Sequence, residues 1–256
     1  GALQGVTEVL PVSSSAHLAL VPWLLDWSYA SLDAELRKTV EATLHLGAAV
    51  ALIGARRREL YGLDRRRCSV IALAQPAPVL AGLLLQGPVQ ERASGPRAVA
   101  AGLLAGAGAS AAAELIAARR AARADEHPNA VDGLALGVAQ AAALWPGISR
   151  QGATLAAARS RGLSREEAAR ASLQAGLPVM VGAALLTGAR LSRRPPAPGT
   201  AGKLAAGALA AALATAASQR ALGTRPLPPW PFVTHRAALA TLTLRRARAG
   251  RAKPDR

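Results

Sequence analysis

The chain has 256 residues, of which 51% are hydrophobic and only 3% aromatic, and its formal net charge is +16. Alanine and leucine, both strong helix formers, supply most of the apolar surface, which predicts an all-α protein and disfavours a β-sheet fold. The single cysteine excludes an intramolecular disulfide and a cysteine-based metal site. Because the first residue is not Met, we expect the natural chain to begin further upstream.

The strong positive charge suits either a nucleic acid or an anionic membrane surface as partner. The arginines form clusters that flank apolar stretches and are not interleaved with aromatic residues. These clusters lie at 56–58, 65–67, 119–120, 193–194 and 245–246. This distribution is typical of loops between membrane helices, which should be cytoplasmic, and it makes a soluble nucleic-acid binder the minor alternative.

A membrane-spanning helix takes about 20 mainly apolar residues, and three of the charge-free runs in this chain reach or approach that length, while the others can be extended with one tolerated charge. Charge-free runs occupy 68–90, 98–113, 133–149, 171–189 and 204–219, with further candidates at 43–54 and 231–244. The glycines at 102, 106 and 108 suit close helix packing in lipid, or reflect only an Ala/Gly-rich composition. We predict one integral membrane domain over residues 1–244, followed by a basic tail at 245–256 that is disordered or lies on the lipid headgroups.

The first chemically rich segment combines one carboxylate, consecutive hydroxyls and an imidazole near the start of the chain. Pro11 prevents a helix that contains Glu8 from continuing, so a turn is expected there. If Ser13 or Ser14 then caps a second helix, the free amides of that helix form an anion site with His17 one turn away. A serine-rich cap with a solvated Glu and His explains the residues equally well, and the sequence leaves both interpretations open.

The second segment repeats this logic at 145–154, where an apolar run breaks at Pro146 and Gly147 before another hydroxyl, Ser149. It adds Arg150, whose planar guanidinium can grip phosphate oxygens in a bidentate manner, or could simply extend to a membrane interface. The order Gln4, Pro11, Ser14 is echoed by Gln140, Pro146, Ser149, which is a weak internal repeat. Paired broken helices in two halves of a chain point to a binding site in the middle of a membrane.

The two segments resemble the signatures of one family. The pattern Q-G-x-T-E-x-L-P-x-S-S-x-x-H at 4–17 and the pattern L-W-P-G-I-S-R-x-G-A-T at 144–154 are similar to those of the undecaprenyl-diphosphatases, the bacitracin-resistance phosphatases. Further similarities occur at 41–48, at 163–165 with Pro178 downstream, and in the motif P-F-x-x-H-R at 231–236.

The resemblance implies a polytopic membrane bundle with two inverted repeats, each carrying a re-entrant helical hairpin, and a pocket open to the outer face of the bacterial inner membrane. The implied reaction converts undecaprenyl diphosphate to the monophosphate and inorganic phosphate with a divalent cation, Mg²⁺ or Ca²⁺. The substrate and the membrane lipids are then the expected partners, and a homodimer is left open. The rival from another class is a transporter or lipid flippase of the same inverted-repeat architecture without hydrolytic activity.

The resemblance also implies roles for individual residues. Glu8, with Gln4 one turn earlier, would hold the cation or orient water. Ser14 would be the nucleophile or a phosphate ligand, with Ser13 as the weaker candidate, and His17 would be its base or the acid for the leaving group.

In the second segment, the resemblance implies that Ser149, Arg150 and Thr154 clamp the phosphates and stabilise the developing charge. Within the two signatures, two positions depart from the family pattern. Gln151 stands where a serine is usual, which removes one hydroxyl, and Gln4 stands where Glu also occurs, which should weaken metal binding.

Overall fold

The computed structural model describes residues 1–60, 63–119, 127–193, 199–222 and 227–249, and these residues form helices and turns without a strand. The expected all-α class is therefore confirmed. The helices are α1 (Ala2–Val9), α2 (Ser14–Leu24), α3 (Ala34–Leu60), α4 (Arg65–Leu73), α5 (Pro76–Ala93), α6 (Pro96–Arg119), α7 (Ala130–Ala142), α8 (Arg150–Ser160), α9 (Arg165–Arg193), α10 (Thr200–Leu222) and α11 (Trp230–Ala249), with a short 3₁₀ turn at Ser28–Ser31.

Within the described residues, four segments are long and apolar enough to cross a membrane: Arg65–Val89, Pro96–Arg119, Arg165–Leu186 and Thr200–Leu222. The first of these joins α4 to α5, which are separated by a short interruption before Pro76. Each of the four segments covers most or all of a charge-free run seen in the sequence. The helices extend beyond these runs because arginine and glutamate are good helix formers that can continue a helix past its apolar part.

The charge-free run at 133–149 is not a continuous helix. Helix α7 ends at Ala142, the chain then turns through residues 143–149, and α8 begins at Arg150. The run is thus a second broken helix, as α1 and α2 form the first around Pro11. Each of these four helices is too short to span a bilayer alone.

Glycine allows the second break to approach a long helix closely. A β-carbon at Gly102 of α6 would lie 2.1 Å from the carbonyl oxygen of Pro146, so only glycine fits. By contrast, a β-carbon at Gly108 would meet no described atom within 4 Å. Close packing of the kind expected for these glycines is therefore present at Gly102, whereas Gly108 has no described neighbour.

The remaining packing places the two breaks next to each other. Helix α10 packs against both α1 and α3, while α8 packs against α6, α7 and α9. Helix α11 packs along α6 and touches α2. Since α11 continues to Ala249, the first residues of the expected tail are helical, and residues 250–256 lie outside the described part of the chain.

Candidate active site

One pocket of about 800 Å³ opens where the two breaks meet. Its polar end is lined by residues of both breaks and by the first half of α3. Its walls beyond that end are apolar and come from α3 and α9: Leu46, Ala49, Val179, Ala183, Ala184 and Leu186. The pocket therefore joins a polar, charged end to an apolar groove.

The first break ends on a serine in an unusual backbone conformation. Ser13 has φ +73° and ψ 90°, and its hydroxyl accepts a hydrogen bond from the Ala16 amide at 3.4 Å, which caps α2. Positive φ is costly for a residue with a side chain, about 1–3 kcal/mol, and such strain is found preferentially at functional sites. Ser14 is the first residue of α2, so its hydroxyl lies at the free amides of a helix N-terminus.

The second break reaches the same arrangement without that strain. Its positive φ of +97° falls on Gly147, where a β-carbon would lie only 2.2 Å from the Val99 carbonyl oxygen. Ser149 has an ordinary extended conformation and caps α8 by accepting a hydrogen bond from the Gly152 amide at 3.1 Å. Arg150 is then the first residue of α8.

The register of the internal repeat differs from the sequence-based alignment. The two capping residues are Ser13 and Ser149, so Ser149 corresponds to Ser13 and not to Ser14. Gln4 and Gln140 lie equally far ahead of these caps, and each has a buried side-chain oxygen without a hydrogen-bond partner in the described structure. The error came from aligning the prolines, which stand at different distances from the two caps.

Glu8 is the centre of a hydrogen-bond network in the pocket. Its Oε2 accepts hydrogen bonds from the Ser14 hydroxyl at 2.8 Å and from the Gln4 amide nitrogen at 2.8 Å. The same Gln4 nitrogen lies 2.7 Å from His45 Nδ1, which is itself 3.3 Å from Glu8 Oε2. A hydroxyl held against a carboxylate in this way can lose its proton to that carboxylate.

Arg150 brings the positive charge of the second break to this carboxylate. Its Nη2 lies 3.7 Å from Glu8 Oε1 and donates a hydrogen bond to the Met180 sulfur at 3.0 Å. To reach that position the guanidinium passes over Gly176 of α9. The predicted convergence of Glu8, Ser14 and Arg150 in one pocket is thus what the structure shows, with Ser13 and Ser149 among the lining residues.

Two predicted site residues lie elsewhere. His17 is buried and does not belong to the described pocket lining; its Nδ1 lies 2.7 Å from the Ser13 carbonyl oxygen and its Nε2 2.8 Å from His235 Nε2. It therefore does not meet the Ser14 hydroxyl that it was expected to activate. Thr154 is fully buried one turn into α8 and shares a 2.5 Å hydrogen bond with Ser172, so it does not face a phosphate in the pocket.

The sequence did not single out three pocket residues of α3 as functional: Lys38, Glu41 and His45. Tyr29 donates a hydrogen bond to Glu41 Oε1 at 3.3 Å at this side of the site. Burial, together with the Glu41 carboxylate, raises the pKa of the Tyr29 hydroxyl, so it stays a neutral donor. The available signal was His45, a lone imidazole that interrupts an otherwise apolar run.

The donor set suits a divalent cation only in part. Among the described residues there is no group of three or more His, Cys, Asp or Glu side chains that could hold a metal ion. Glu8 is one carboxylate, and the Gln4 side chain presents its nitrogen to it while its oxygen is buried without a partner. Rotation of the Gln4 amide would turn that oxygen toward Glu8 and create two oxygen ligands, enough for Mg²⁺ when phosphates and water complete the shell.

Comparison with known proteins gives a consistent result over the whole chain. The family described as bacitracin resistance protein BacA matches residues 1–242. A protein of Geobacter metallireducens named undecaprenyl-diphosphatase is 37% identical over 209 residues, which cover 75% of each chain. A protein of the same name from Trichlorobacter lovleyi is 33% identical over 261 residues, which cover 93% of this chain and 91% of that one.

The family match covers nearly the full length of the chain, and the relatives are more than 30% identical, so the similarity is neither partial nor accidental. The four apolar helices agree with an integral membrane protein. The chain therefore belongs to the bacitracin resistance protein BacA family.

Proposed function

We propose that this chain hydrolyses undecaprenyl diphosphate to undecaprenyl phosphate and inorganic phosphate, which recycles the lipid carrier for cell-wall synthesis. The observation that carries the proposal is the 2.8 Å hydrogen bond from the Ser14 hydroxyl to Glu8, facing Arg150 across one pocket. Phosphoryl transfer requires a proton acceptor, a hydroxyl and a positively charged side chain, and Glu8, Ser14 and Arg150 supply these groups near two capped helix ends.

The diphosphate would bind at the polar end of the pocket. Arg150 would leave its weak contact with Glu8 and hold the terminal phosphate, while the free amides of α2 and α8 receive the remaining oxygens. Lys38 lines the same pocket and would add positive charge at its mouth. Gln151 also lines it and would offer an amide where the family usually has a hydroxyl.

For the chemical step we propose that Ser14 Oγ attacks the terminal phosphorus as its proton passes to Glu8. The new bond joins Ser14 Oγ to phosphorus, and the bond that breaks joins phosphorus to the bridging oxygen, which leaves with undecaprenyl phosphate. Water then cleaves the phosphoserine. In the alternative, Glu8 directs water at the phosphorus and Ser14 only binds a phosphate oxygen. Trapping of phosphate on the chain, lost in Ser14→Ala, separates these two mechanisms.

A divalent cation would be held by Glu8 and, after rotation of its amide, by the Gln4 oxygen. When bound, Mg²⁺ or Ca²⁺ would neutralise charge on the diphosphate oxygens. Beside the cation, Glu8 Oε2 would keep the hydrogen bond from Ser14, because Glu8 has a second carboxylate oxygen, Oε1, that Arg150 frees when it binds the phosphate.

The prenyl chain of the substrate would follow the apolar wall between α3 and α9 into the lipid. Val50 of α3 and Leu185 of α9 continue that wall and are 61% and 70% exposed, as expected of side chains that contact lipid. In this arrangement the two broken helices are re-entrant hairpins of an inverted repeat. The pairing of their serine caps and buried glutamines supports that arrangement.

We further propose that the pocket faces the outer side of the inner membrane. The arginine cluster at 65–67 begins α4, whereas Gln86 and Gly87, which line the pocket, are near the opposite end of the same span. Because arginine-rich ends lie in the cytoplasm, the pocket should open on the other side. Cys68 is exposed and is the only cysteine of the chain. In intact spheroplasts it should then be protected from a membrane-impermeant maleimide. Labelling of Cys68 by this reagent in intact spheroplasts would overturn the proposed orientation.

The decisive experiment measures phosphate release from undecaprenyl diphosphate by the detergent-purified chain and by Arg150→Ala. We expect a loss of about 10²–10³-fold in kcat/KM for the variant, the usual cost of removing one stabilising donor. A transporter without hydrolytic activity would release no phosphate in either sample. No release by the intact chain above the variant would therefore overturn the phosphatase function.

A further inference from the structure

Helix α11 contributes none of the described residues that line the pocket, yet two adjacent side chains of it reach the two breaks. We propose that His235 and Arg236 are positioning residues: His235 holds the Ser13 turn in the geometry that cleaves the diphosphate, and Arg236 places a positive charge behind the Ser149 turn, which binds it. The proposal rests on the phosphatase function and assigns to α11 the part of the machinery that lies behind the pocket.

His235 acts on the first break through His17. A carbonyl oxygen can only accept, so the 2.7 Å contact between His17 Nδ1 and the Ser13 carbonyl places a proton on Nδ1. Neutral His17 then has a lone pair on Nε2, and His235 Nε2 donates its proton to it over 2.8 Å. A continuous chain of hydrogen bonds therefore runs from α11 to the backbone of Ser13.

This chain ends on the strained residue of the site. Ser13 has φ +73°, and its own peptide precedes Ser14, whose hydroxyl must point at Glu8. A conformation that costs about 1–3 kcal/mol persists only when its surroundings hold it. Rotation of the Ser13 carbonyl would break its hydrogen bonds with the His17 Nδ1 and with the His17 amide. Because His235 fixes the His17 ring from the other side, these bonds hold the Ser13 peptide and keep the Ser14 hydroxyl on Glu8.

Arg236 acts on the second break as a buried cation. It is 1% exposed; Nε donates to the Phe232 carbonyl at 3.2 Å and Nη2 to the Ser110 hydroxyl at 2.8 Å. Nη1 is buried and has no hydrogen-bond partner in the described structure. No described carboxylate lies within salt-bridge distance of this guanidinium, so its charge is not neutralised by the protein around it.

Two glycines make the space for that free nitrogen. A β-carbon at Gly152 would lie 2.9 Å from Arg236 Nη1, and one at Gly106 would lie 3.1 Å from it. Gly152 is also the residue whose amide is capped by Ser149. Nη1 therefore sits directly behind the turn that carries Ser149 and Arg150 into the pocket.

The unneutralised charge of Arg236 behind the turn before α8 should raise the affinity of that turn for phosphate. A buried cation without a counter-ion is unfavourable in the free protein, and a phosphate at the N-terminus of α8 reduces that cost. Arg236 thus strengthens phosphate binding without touching the substrate. The two residues should consequently affect different kinetic constants: His235 the rate of the chemical step, and Arg236 the binding of the diphosphate.

The first test compares His235→Ala with His235→Gln in the phosphate-release assay. We expect His235→Ala to lower kcat about tenfold with KM unchanged, the scale of one lost hydrogen bond to a positioned group. His235→Gln should recover most of that loss because its amide nitrogen can donate to His17 Nε2. Thr241→Ala is the control, since Thr241 is exposed on α11 and bonds only to its own helix at Ala237. Equal activity of His235→Ala and the control, or no recovery in His235→Gln, would overturn this half of the proposal.

The second test uses Arg236→Met, which keeps the length of the side chain and removes its charge, and Arg236→Lys, which keeps the charge. We expect Arg236→Met to raise KM about tenfold without lowering the thermal midpoint, because replacing a buried unpaired charge by an apolar group is not destabilising. Arg236→Lys should stay closer to the wild type in KM. A purely structural role predicts the opposite result, a lower midpoint with KM unchanged.

Binding of inorganic pyrophosphate to the purified chain separates this proposal from the phosphatase function. If pyrophosphate binds more weakly to Arg236→Met than to the wild type, the positioning role is supported. This holds even if the intact chain releases no phosphate, although that second result would overturn the hydrolytic function. Equal binding in a folded Arg236→Met, or normal kinetics in all these variants of an active enzyme, overturns the positioning role and leaves the phosphatase function intact.

Discussion

The two broken helices solve the same structural problem with different residues. Both end a short helix, turn, and cap the next helix with a serine that accepts from the amide three residues later. The first break places its positive φ on Ser13, whereas the second places it on Gly147. The first then presents a hydroxyl and a carboxylate, Ser14 and Glu8, and the second presents a cation, Arg150.

The difference between the two breaks indicates why backbone strain is found in the first and not in the second. The second break only has to deliver a long, flexible arginine, so an unstrained glycine turn is sufficient. The first must fix a short hydroxyl against Glu8, and a strained turn that is held from behind by His17 restricts it more tightly. The contact of 3.7 Å between Arg150 and Glu8 joins the two halves across the pocket.

The largest effect on folding is expected when the residue types at the two positive-φ positions, Ser13 and Gly147, are exchanged. Gly147→Ser, which puts a serine at the positive-φ position of the second turn, would place a β-carbon 2.2 Å from the Val99 carbonyl oxygen, so we expect little or no folded protein. The reverse change, Ser13→Gly, is compatible with its turn and should alter the free energy of unfolding by less than about 1 kcal/mol. Detergent-solution chromatography and thermal unfolding of both variants check this; equal tolerance of the two changes would contradict the comparison.

The next largest effect concerns the acidic half of the site. Glu8→Gln keeps the shape of the side chain but removes the charge that accepts the Ser14 proton, so kcat should fall by about 10²–10⁴-fold. Glu41→Gln is the matched control, because Glu41 also lines the pocket but accepts its hydrogen bond from Tyr29 and not from Ser14. Phosphate release by both variants at saturating substrate measures the difference. A similar loss in both would mean that the pocket needs negative charge and not a base at Glu8.

Much of this site could be predicted from the residues, and the errors have physical causes. The two motifs predicted that Glu8, Ser14 and Arg150 belong to one site, and the structure brings these side chains to one pocket. Ser14 and Arg150 begin helices there because each break is followed by a serine cap. Thr154, for which the resemblance implied a phosphate contact, lies one turn after Arg150 on the same face of α8 but outside the pocket lining. The arginine is long enough to reach from that buried face to the pocket, while the short threonine stays against Ser172.

The contribution of helix packing could not be predicted from sequence spacing. His45 lies in a helix far away in sequence and enters the Glu8 network only because α1 packs against α3. His17 has the spacing expected of a base for Ser14, but the packing of α2 near α11 turns it toward His235. Rotation of a helix about its axis depends on its neighbours, and one sequence does not reveal which neighbours these are.

A smaller effect tests how the cationic half reaches the site. A β-carbon at Gly176 would lie 1.8 Å from Arg150 Nη1, so Gly176→Ala must displace the guanidinium from its path to Glu8. We expect kcat/KM to fall about 10–100-fold, less than in Arg150→Ala because the charge stays in the pocket. Gly182→Ala is the control on the same helix, where the added carbon meets no described atom within 4 Å. Equal kcat/KM in the two variants would show that the position of Arg150 over α9 is unimportant.

The smallest effect concerns the metal, and it asks whether the first break holds a cation as well as a nucleophile. Gln4→Glu replaces the amide that now donates to Glu8 by a second carboxylate, and two like charges at that distance repel unless a cation lies between them. The variant should therefore reach half-maximal activity at a Mg²⁺ concentration several-fold lower than the wild type, and lose more activity in excess chelator. Gln140→Glu, at the corresponding place in the second break, bonds to the Ala74 carbonyl and not to a carboxylate, so its Mg²⁺ dependence should not change. Activity titrations with Mg²⁺ and with Ca²⁺ measure both variants. If Gln4→Glu leaves the titration unchanged, the cation is not held at Gln4, and the first break supplies only the acceptor and the hydroxyl.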